Sequence, residues 1–139
     1  MVIKKNVPLW TQLLDLRVEG FYARALLIKF PWSDILALQR QTLSTAAITA
    51  AADVAGQVAA ACALDELGQT WESMRVSEYV MKSYRPISRT DGDYPEILIF
   101  ATATGCTKTT AHCEITIGSS NMDVDDFAVT ATVTYALQP

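Results

Sequence analysis

The sequence has few of the residues that build metal centres and disulfide frameworks. It contains a single histidine, His112, and three cysteines, Cys62, Cys106 and Cys113, none of which forms a Cys-x-x-Cys pair. A structural zinc site needs about four such ligands, and a disulfide framework needs cysteines in pairs. The sequence therefore predicts no metal site, and it predicts reduced thiols of the kind found in the cytosol.

Positive charge is also scarce. Lys and Arg total 11 against 15 for Asp and Glu, and the basic residues are scattered along the chain. Nucleic-acid binding depends on clustered Lys and Arg that neutralise a row of phosphates, so we expect no nucleic-acid partner.

The first residues, MVIKKNVPLW, have a basic start but lack the apolar run and cleavage site of a secretory signal. We therefore expect a cytoplasmic protein.

One long apolar segment is present, STAAITAAADVAGQVAAACAL, from Ser44 to Leu64. About 20 apolar residues can cross a bilayer, but alanine is weakly hydrophobic and a central Asp53 would cost about 3 kcal/mol to insert. We therefore expect no membrane span. Alanine favours helix, Ser44 or Thr45 can serve as the N-cap, and Gly68 can end the helix. The segment predicts the long central helix of a soluble protein.

The second half of the chain shows the two-residue period of β-strands. EILIFATATG is apolar on both faces and predicts a central strand, whereas TTAHCEITIG and FAVTATVTYAL each have one apolar and one Thr-rich face. The short segments between them, TGCTK and GSSNMDVDD, predict an antiparallel meander. Earlier strands are predicted in GFYARALLIKF and in MRVSEYVMKSYRP, a short helix in PLWTQLLDL, and a loose segment in SRTDGDYP.

This order of elements predicts the fold class. A long apolar helix followed by antiparallel strands that each have a core face implies a sheet curled around the helix. At 139 residues the chain fits one domain, residues 1–139, with a core of ordinary size. We predict an α+β architecture of the hotdog type, an antiparallel sheet wrapped around a long central helix.

The predicted helix carries one polar stripe. Thr45, Thr49, Asp53 and Gln57 follow one another at i, i+4 spacing, with apolar or small residues around them. Asp53 is the one carboxylate between Ser44 and Leu64, and burying it without a partner would cost several kcal/mol. Either Thr49 and Gln57 satisfy Asp53 by hydrogen bonds in a wet groove or subunit interface, or the carboxylate is used in chemistry.

These motifs and their order resemble the hotdog-fold acyl-CoA thioesterases, most closely the phenylacetyl-CoA and hydroxybenzoyl-CoA thioesterase branch, over roughly Gly20–Leu137. Asp53 stands where that family has an acidic residue about two turns into the helix. YRP at Tyr84–Pro86 resembles the end of a family strand, and ATVTYAL at Ala131–Leu137 resembles the last strand. The His-Gly-Gly turn that opens the family's helix is absent. Its positions hold Ser44, Thr45 and Ala46.

The resemblance implies hydrolysis of an acyl thioester of coenzyme A or of a carrier protein. Asp53 would attack the thioester or activate a water, and the amide N–H groups near Thr45 and Ala46 would stabilise the oxyanion. Gln57 matches a family position, usually Ser or Thr, that orients water or substrate. A polar residue before the helix completes the family's site, and the choice among Gln39, Arg40 and Gln41 stays open. The predicted catalytic residues are Asp53, Gln57, Thr45, Ala46, Thr49 and Gln41.

Substrate contacts and assembly follow from the same resemblance. Lys82, Arg85, Arg89 and Lys108 are predicted to meet the phosphates of coenzyme A, which enters as part of the substrate and not as a separate cofactor. His112 lies mid-strand among threonines and is predicted to be a surface or interface residue outside the site. Because the family's substrate lies between two helices across a dimer, we expect a homodimer or a dimer of dimers.

Two other functions stay open at this point. A non-catalytic acyl-thioester-binding or assembly subunit could keep the fold without turnover, as the missing His-Gly-Gly turn allows. A hotdog dehydratase or isomerase is less favoured, because those enzymes usually bring a catalytic histidine near the helix and His112 lies in another element. The sequence leaves open the acyl group, the carrier, and the choice between dimer and tetramer.

Overall fold

The computed structural model describes residues 14–22, 25–38, 42–89, 95–120 and 127–138. Within these residues a 22-residue helix, α1 (Thr45–Glu66), packs against a six-stranded antiparallel sheet. A 3₁₀ turn at Asp34–Leu36 precedes it. The strands are β1 (Arg17–Tyr22), β2 (Ala25–Pro31), β3 (Ala37–Leu38), β4 (Thr42–Leu43), β5 (Ser73–Ser83), β6 (Glu96–Cys106), β7 (Thr110–Ser119) and β8 (Val129–Gln138).

Helix α1 lies where the sequence predicts it. Ser44 is the N-cap, and its hydroxyl accepts a hydrogen bond from the Ala47 amide at 3.1 Å. Gly68, just past the end, adopts φ +67°, a left-handed conformation that glycine reaches without steric cost. The helix is long and apolar enough to span a membrane, but more than half of its most apolar window is buried inside the fold. It is the core helix of this domain.

The sheet order is β1-β2-β6-β7-β8-β5, and β3 pairs with β4 in a separate two-stranded ribbon. Strands β6, β7 and β8 form the predicted antiparallel meander. Strand β6 is interior, between β2 and β7, as its two apolar faces predict. The inward faces of β7 and β8 are buried at Ala111, Cys113, Ile115, Ile117, Val129, Ala131, Val133, Tyr135 and Leu137. The α+β hotdog prediction is confirmed.

Strand β5 follows the helix in sequence but pairs with β8, the last strand. It is therefore an edge of the sheet, and its outer side has no partner strand among the described residues. Val76 and Val80 on this strand are 40% and 48% exposed. The same edge also exposes the charged residues Arg75, Glu78 and Lys82. An unpaired edge of this length can pair with another strand.

The prediction of one strand in GFYARALLIKF is wrong. The segment contains parts of two strands, β1 and β2, which pair antiparallel with Tyr22 opposite Ala25. The reversal was missed because Ala23 and Arg24 carry none of the Gly, Pro, Asn or Asp signals of a tight turn. A register shift in β1 falls between Val18 and Gly20, where Gly20 adopts φ +134°.

Two sequence predictions fall largely outside the described residues. Of the helix predicted in PLWTQLLDL, only residues 14–16 are described. Of the segment SRTDGDYP, only Ser88, Arg89 and Pro95 are described.

Candidate active site

Asp53 lies half-buried in the middle of α1, within a cluster of polar side chains. Its carboxylate oxygen Oδ1 accepts hydrogen bonds from the Tyr135 hydroxyl at 3.1 Å and from the Gln57 side-chain amide at 3.2 Å. The Tyr135 hydroxyl is also 2.8 Å from the main-chain oxygen of Asp53. The second carboxylate oxygen, Oδ2, has no hydrogen-bond partner among the described residues. The hydrogen bonds to the carboxylate from the described residues are therefore all made to Oδ1.

Two tyrosines border this carboxylate, Tyr135 on β8 and Tyr79 on β5. Burial, followed by the charge of Asp53, raises the pKa of Tyr135 far above its ordinary value. Burial also raises the pKa of Tyr79, while the nearby Thr49 hydroxyl lowers it and Asp53 raises it. Both hydroxyls therefore stay protonated at neutral pH and can donate hydrogen bonds. The buried Tyr79 hydroxyl has no partner in good hydrogen-bond geometry within the described part of the chain.

Gly56 creates the space that Tyr135 occupies. It is buried within the helix, three residues after Asp53, and a Cβ at this position would collide with the Tyr135 hydroxyl. The Gly56 main-chain oxygen accepts a hydrogen bond from the Cys113 thiol at 3.4 Å. Burial raises the pKa of Cys113 to about 12, so the thiol is neutral. The helix centre is thus closely packed on the sheet side.

The helix start presents main-chain donors of the kind that the sequence predicts. The Ala47 amide donates to the Ser44 hydroxyl, and the Ile48 amide donates to the Ser44 carbonyl. Thr45 and Ala46 are exposed, and their amides have no acceptor among the residues described. These two N–H groups are therefore available to an incoming oxygen atom.

A pocket of about 360 Å³ opens beside the helix start. Its lining combines β4, the first turns of α1 and the YRP segment, and includes Thr42, Thr45, Ile48, Tyr84, Arg85 and Pro86. Asp53 does not line it. Asp53 lies eight positions after Thr45 in the helix, which is a rise of about 12 Å along the helix axis. In one chain the helix start and Asp53 are therefore two separate parts of the candidate site.

The structure groups the predicted site residues accordingly. Asp53, Gln57 and Thr49 lie together at the helix centre, and Thr45 and Ala46 lie at the helix start with the pocket. Gln39, Arg40 and Gln41 are outside the described residues. Sequence reasoning missed both tyrosines, although a hydroxyl on a buried strand face needs a partner and so signals a polar contact.

The basic residues predicted to meet coenzyme A fall into two places. Lys82, Arg85 and Arg89 surround the end of β5, where Arg85 lines the pocket and Arg89 is 3.5 Å from Asp34. Lys108 is exposed in the turn between β6 and β7. The start of β8 lies beside the end of β5, whereas the far end of β8 lies beside that turn. A single chain therefore does not bring Lys108 to the other three.

The remaining titratable residues lie apart from the cluster. His112 is exposed, as predicted, and its Nδ1 is 3.0 Å from the Thr134 hydroxyl on the outer face of the sheet. Within the described ranges no group of three or more His, Cys, Asp or Glu side chains could hold a metal ion.

Comparison with known proteins gives matches in structure only. No protein-family model and no curated protein sequence matches the chain. A mutant thioesterase from Staphylococcus aureus has a TM-score of 0.73 at 15% identity, covering 93% of this chain and 98% of that one. A mutant phenylacetic acid degradation protein from Thermus thermophilus has a TM-score of 0.69 at 14% identity, covering 94% and 98%. A Haemophilus influenzae thioesterase has a TM-score of 0.69 at 10% identity, covering 91% and 80%.

The chain has the hotdog fold, and its structural neighbours include thioesterases of that fold. This agrees with the resemblance drawn from the sequence motifs. The likeness covers 91–94% of this chain in these three cases, so it includes both the central helix and the sheet.

Proposed function

We propose that this protein hydrolyses an acyl thioester of coenzyme A or of an acyl-carrier protein. The observation that carries the proposal is the state of Asp53, whose Oδ1 is held by Tyr135 and Gln57 while Oδ2 has no partner among the described residues. A half-buried carboxylate fixed in this way has one oxygen directed for proton removal or for attack. The thioesterases among the structural neighbours support the reaction class.

Thioester hydrolysis requires a base or nucleophile and a set of donors for the oxyanion, and the described residues can supply both. Asp53 Oδ2 removes a proton from a water that attacks the thioester carbon, or attacks that carbon itself. The carbonyl oxygen then becomes an oxyanion, to which the amides of Thr45 and Ala46 donate. One such donor contributes roughly 10²–10³-fold to the rate. Collapse of the intermediate breaks the C–S bond, and the departing thiolate takes up the proton that Asp53 removed from water. If Asp53 attacks directly, collapse leaves an acyl–Asp53 anhydride, and a water molecule then hydrolyses it and supplies the proton for the thiolate.

Both parts act on one thioester only if two chains cooperate. Asp53 and the Thr45 amide are about 12 Å apart along the helix, whereas both must come within about 3 Å of the same reacting group. The helix start of a second copy can supply the donors that the first copy's Asp53 lacks. The edge of β5 has no partner strand among the described residues and carries Tyr79 and the exposed Val76 and Val80, which supports a symmetric dimer through this edge. We propose a homodimer, alone or within a dimer of dimers.

Coenzyme A would be recognised at the pocket beside the helix start. Arg85 lines this pocket, and Lys82 and Arg89 lie on the neighbouring end of β5 and the segment after it. We propose that these three residues contact its phosphates, with Lys108 contributing only if a second chain brings it close. We propose a cytoplasmic location, which is supported by the buried core helix and by the absence of a disulfide among the described cysteines.

A panel of acyl-CoA substrates, tested with wild type and Asp53→Asn, examines the proposal directly. Asn keeps the shape of Asp but is neither a base nor a nucleophile, so we expect the rate to fall at least about 100-fold. Circular dichroism should show the same fold. Asp65→Asn is the matched control, because it removes an exposed carboxylate near the end of the same helix. An Asp53→Asn protein with near wild-type turnover would refute the role of Asp53.

Two further results would redirect the proposal. Wild type that binds acyl-CoA without hydrolysing it would favour the non-catalytic acyl-thioester-binding subunit. A monodisperse monomer at micromolar concentration, measured by light scattering, would contradict the shared site.

A further inference from the structure

We propose that Tyr135 is the positioning residue of Asp53, and that Gly56 is the gap in the helix that admits its hydroxyl. This inference rests on the proposed role of Asp53 in thioester hydrolysis. Tyr135 would not touch the substrate. It would act through the carboxylate by setting the direction in which Oδ2 points.

The geometry ties the carboxylate to the sheet. Tyr135 is fully buried on β8, and its hydroxyl lies 2.8 Å from the main-chain oxygen of Asp53 and 3.1 Å from its Oδ1. A hydroxyl has one proton, so the two acceptors share a single donor. Because both acceptors belong to one residue, the contact restrains both the backbone position and the side-chain rotamer of Asp53.

Tyr135 and Gln57 have different parts in this arrangement. Gln57 donates to the same Oδ1 at 3.2 Å, but it lies on the same helix and one turn away. It moves with Asp53 and cannot hold the carboxylate against the rest of the fold. Tyr135 is the donor from outside the helix. Tyr135 and Gln57 both donate their hydrogen bonds to Oδ1. These two hydrogen bonds therefore leave Oδ2 without a donor from the described residues, so that it can act on the substrate.

Folding alone does not require this contact. The Asp53 carbonyl lies inside the helix, where it already accepts the i+4 amide hydrogen bond. A phenylalanine would fill the same space on β8 without placing a hydroxyl in the core, and alanine would suit the helix better than Gly56. Two locally unfavourable residues thus meet at the one carboxylate in the middle of the helix, a pattern typical of functional sites.

The test is Tyr135→Phe, which removes the hydroxyl and keeps the ring. We expect kcat to fall about ten- to a hundredfold through loss of orientation, with KM changed by less than about twofold. In the Asp53→Asn background the same substitution should have no further effect. Thr134→Val is the matched control, because it removes the neighbouring hydroxyl on the opposite face of β8, where Thr134 contacts His112. Its kinetics should match those of wild type.

A second measurement does not depend on turnover. The NMR couplings between the Hα and Hβ protons of Asp53 report its rotamer. We expect one rotamer in wild type and an averaged value in Tyr135→Phe. Unchanged kcat in Tyr135→Phe, while Asp53→Asn is inactive, would overturn the inference and leave the proposed function standing. If wild type hydrolyses no thioester, the proposed function fails, and the couplings alone decide: averaging supports the positioning role, and no change refutes it.

Discussion

The first turn and the centre of helix α1 differ in what they offer to a substrate. The first turn is exposed at Thr45 and Ala46 and presents main-chain N–H groups beside an open pocket. The centre is packed against the sheet and presents the side chain of Asp53, which Tyr135 and Gln57 hold. Main-chain donors tolerate a change of side chain, whereas the carboxylate cluster depends on the identity of each member. The proposed site can therefore lack the His-Gly-Gly turn of the thioesterases that the sequence resembles and still offer main-chain donors for an oxyanion.

Thr45→Pro removes a main-chain donor at the helix start without removing the helix. Proline is favoured at the first helical position, and Ser44 already has the extended backbone, φ −69° and ψ 148°, that a residue before proline prefers. We expect kcat to fall roughly 10²–10³-fold with little change in melting temperature. Thr45→Gly is the control, because it also loses the side chain but keeps the N–H group. Equal rates in the two variants would exclude this amide as a donor.

Mixed dimers then show whether the two regions act across subunits. Co-expression of Asp53→Asn and Thr45→Pro chains yields heterodimers in which one site has both parts intact. We expect roughly a quarter of wild-type activity to return when each variant alone is inactive. Failure to recover activity would place both parts in one chain.

Gly56→Ala probes the packing at the helix centre. Alanine favours helix by about 1 kcal/mol over glycine, but its Cβ would collide with the Tyr135 hydroxyl and press on Ile115. We expect a net loss of about 1–3 kcal/mol in the free energy of unfolding, measured with urea. Adding Tyr135→Phe should recover much of this loss, because the colliding oxygen is gone. Additive effects of the two substitutions would show that they do not meet.

Thr45→Gly also tests whether the Thr45 side chain restricts the access of substrate to the main-chain amides of residues 45 and 46. A side chain branched at Cβ narrows the approach to the amides, so glycine should raise the rate on short or slim acyl thioesters a few-fold. Since Ser44 and not Thr45 caps the helix, the cost should be limited to helix propensity, about 1 kcal/mol. A tenfold fall in rate, about 1.4 kcal/mol of barrier, would instead assign a role to the Thr45 hydroxyl.

The last prediction concerns the pH dependence of stability, and it affects the protein only at alkaline pH. Burial raises the pKa of Cys113 from its ordinary value of 9.0 to about 12. Because the folded protein favours the neutral thiol, its stabilisation is complete below about pH 9 and is lost as pH rises towards 12. The free energy of unfolding of wild type should therefore fall over this range more steeply than that of Cys113→Ala. Parallel curves would mean that water reaches this thiol.

The sequence by itself determined the helix and the fold class. The alanine-rich segment, the Ser44 cap and Gly68 act within a few residues, and the two-residue period marks which strand faces are buried. The i, i+4 stripe likewise placed Thr49, Asp53 and Gln57 together, because helical spacing is a local property. The hairpin of β1 and β2 escaped detection because Ala23 and Arg24 carry no turn signal.

Only the tertiary structure decided what surrounds Asp53. Tyr135 lies 82 positions away along the chain, and its hydroxyl reaches Asp53 only because β8 lies beneath the helix in one register and Gly56 leaves room. Tyr79 comes near because β5 pairs with β8 and not with a sequence neighbour. Strand order and register depend on the packing of the whole sheet, which no local pattern specifies. The separation of Asp53 from the helix-start pocket has the same origin, since it depends on which residues line that pocket in three dimensions.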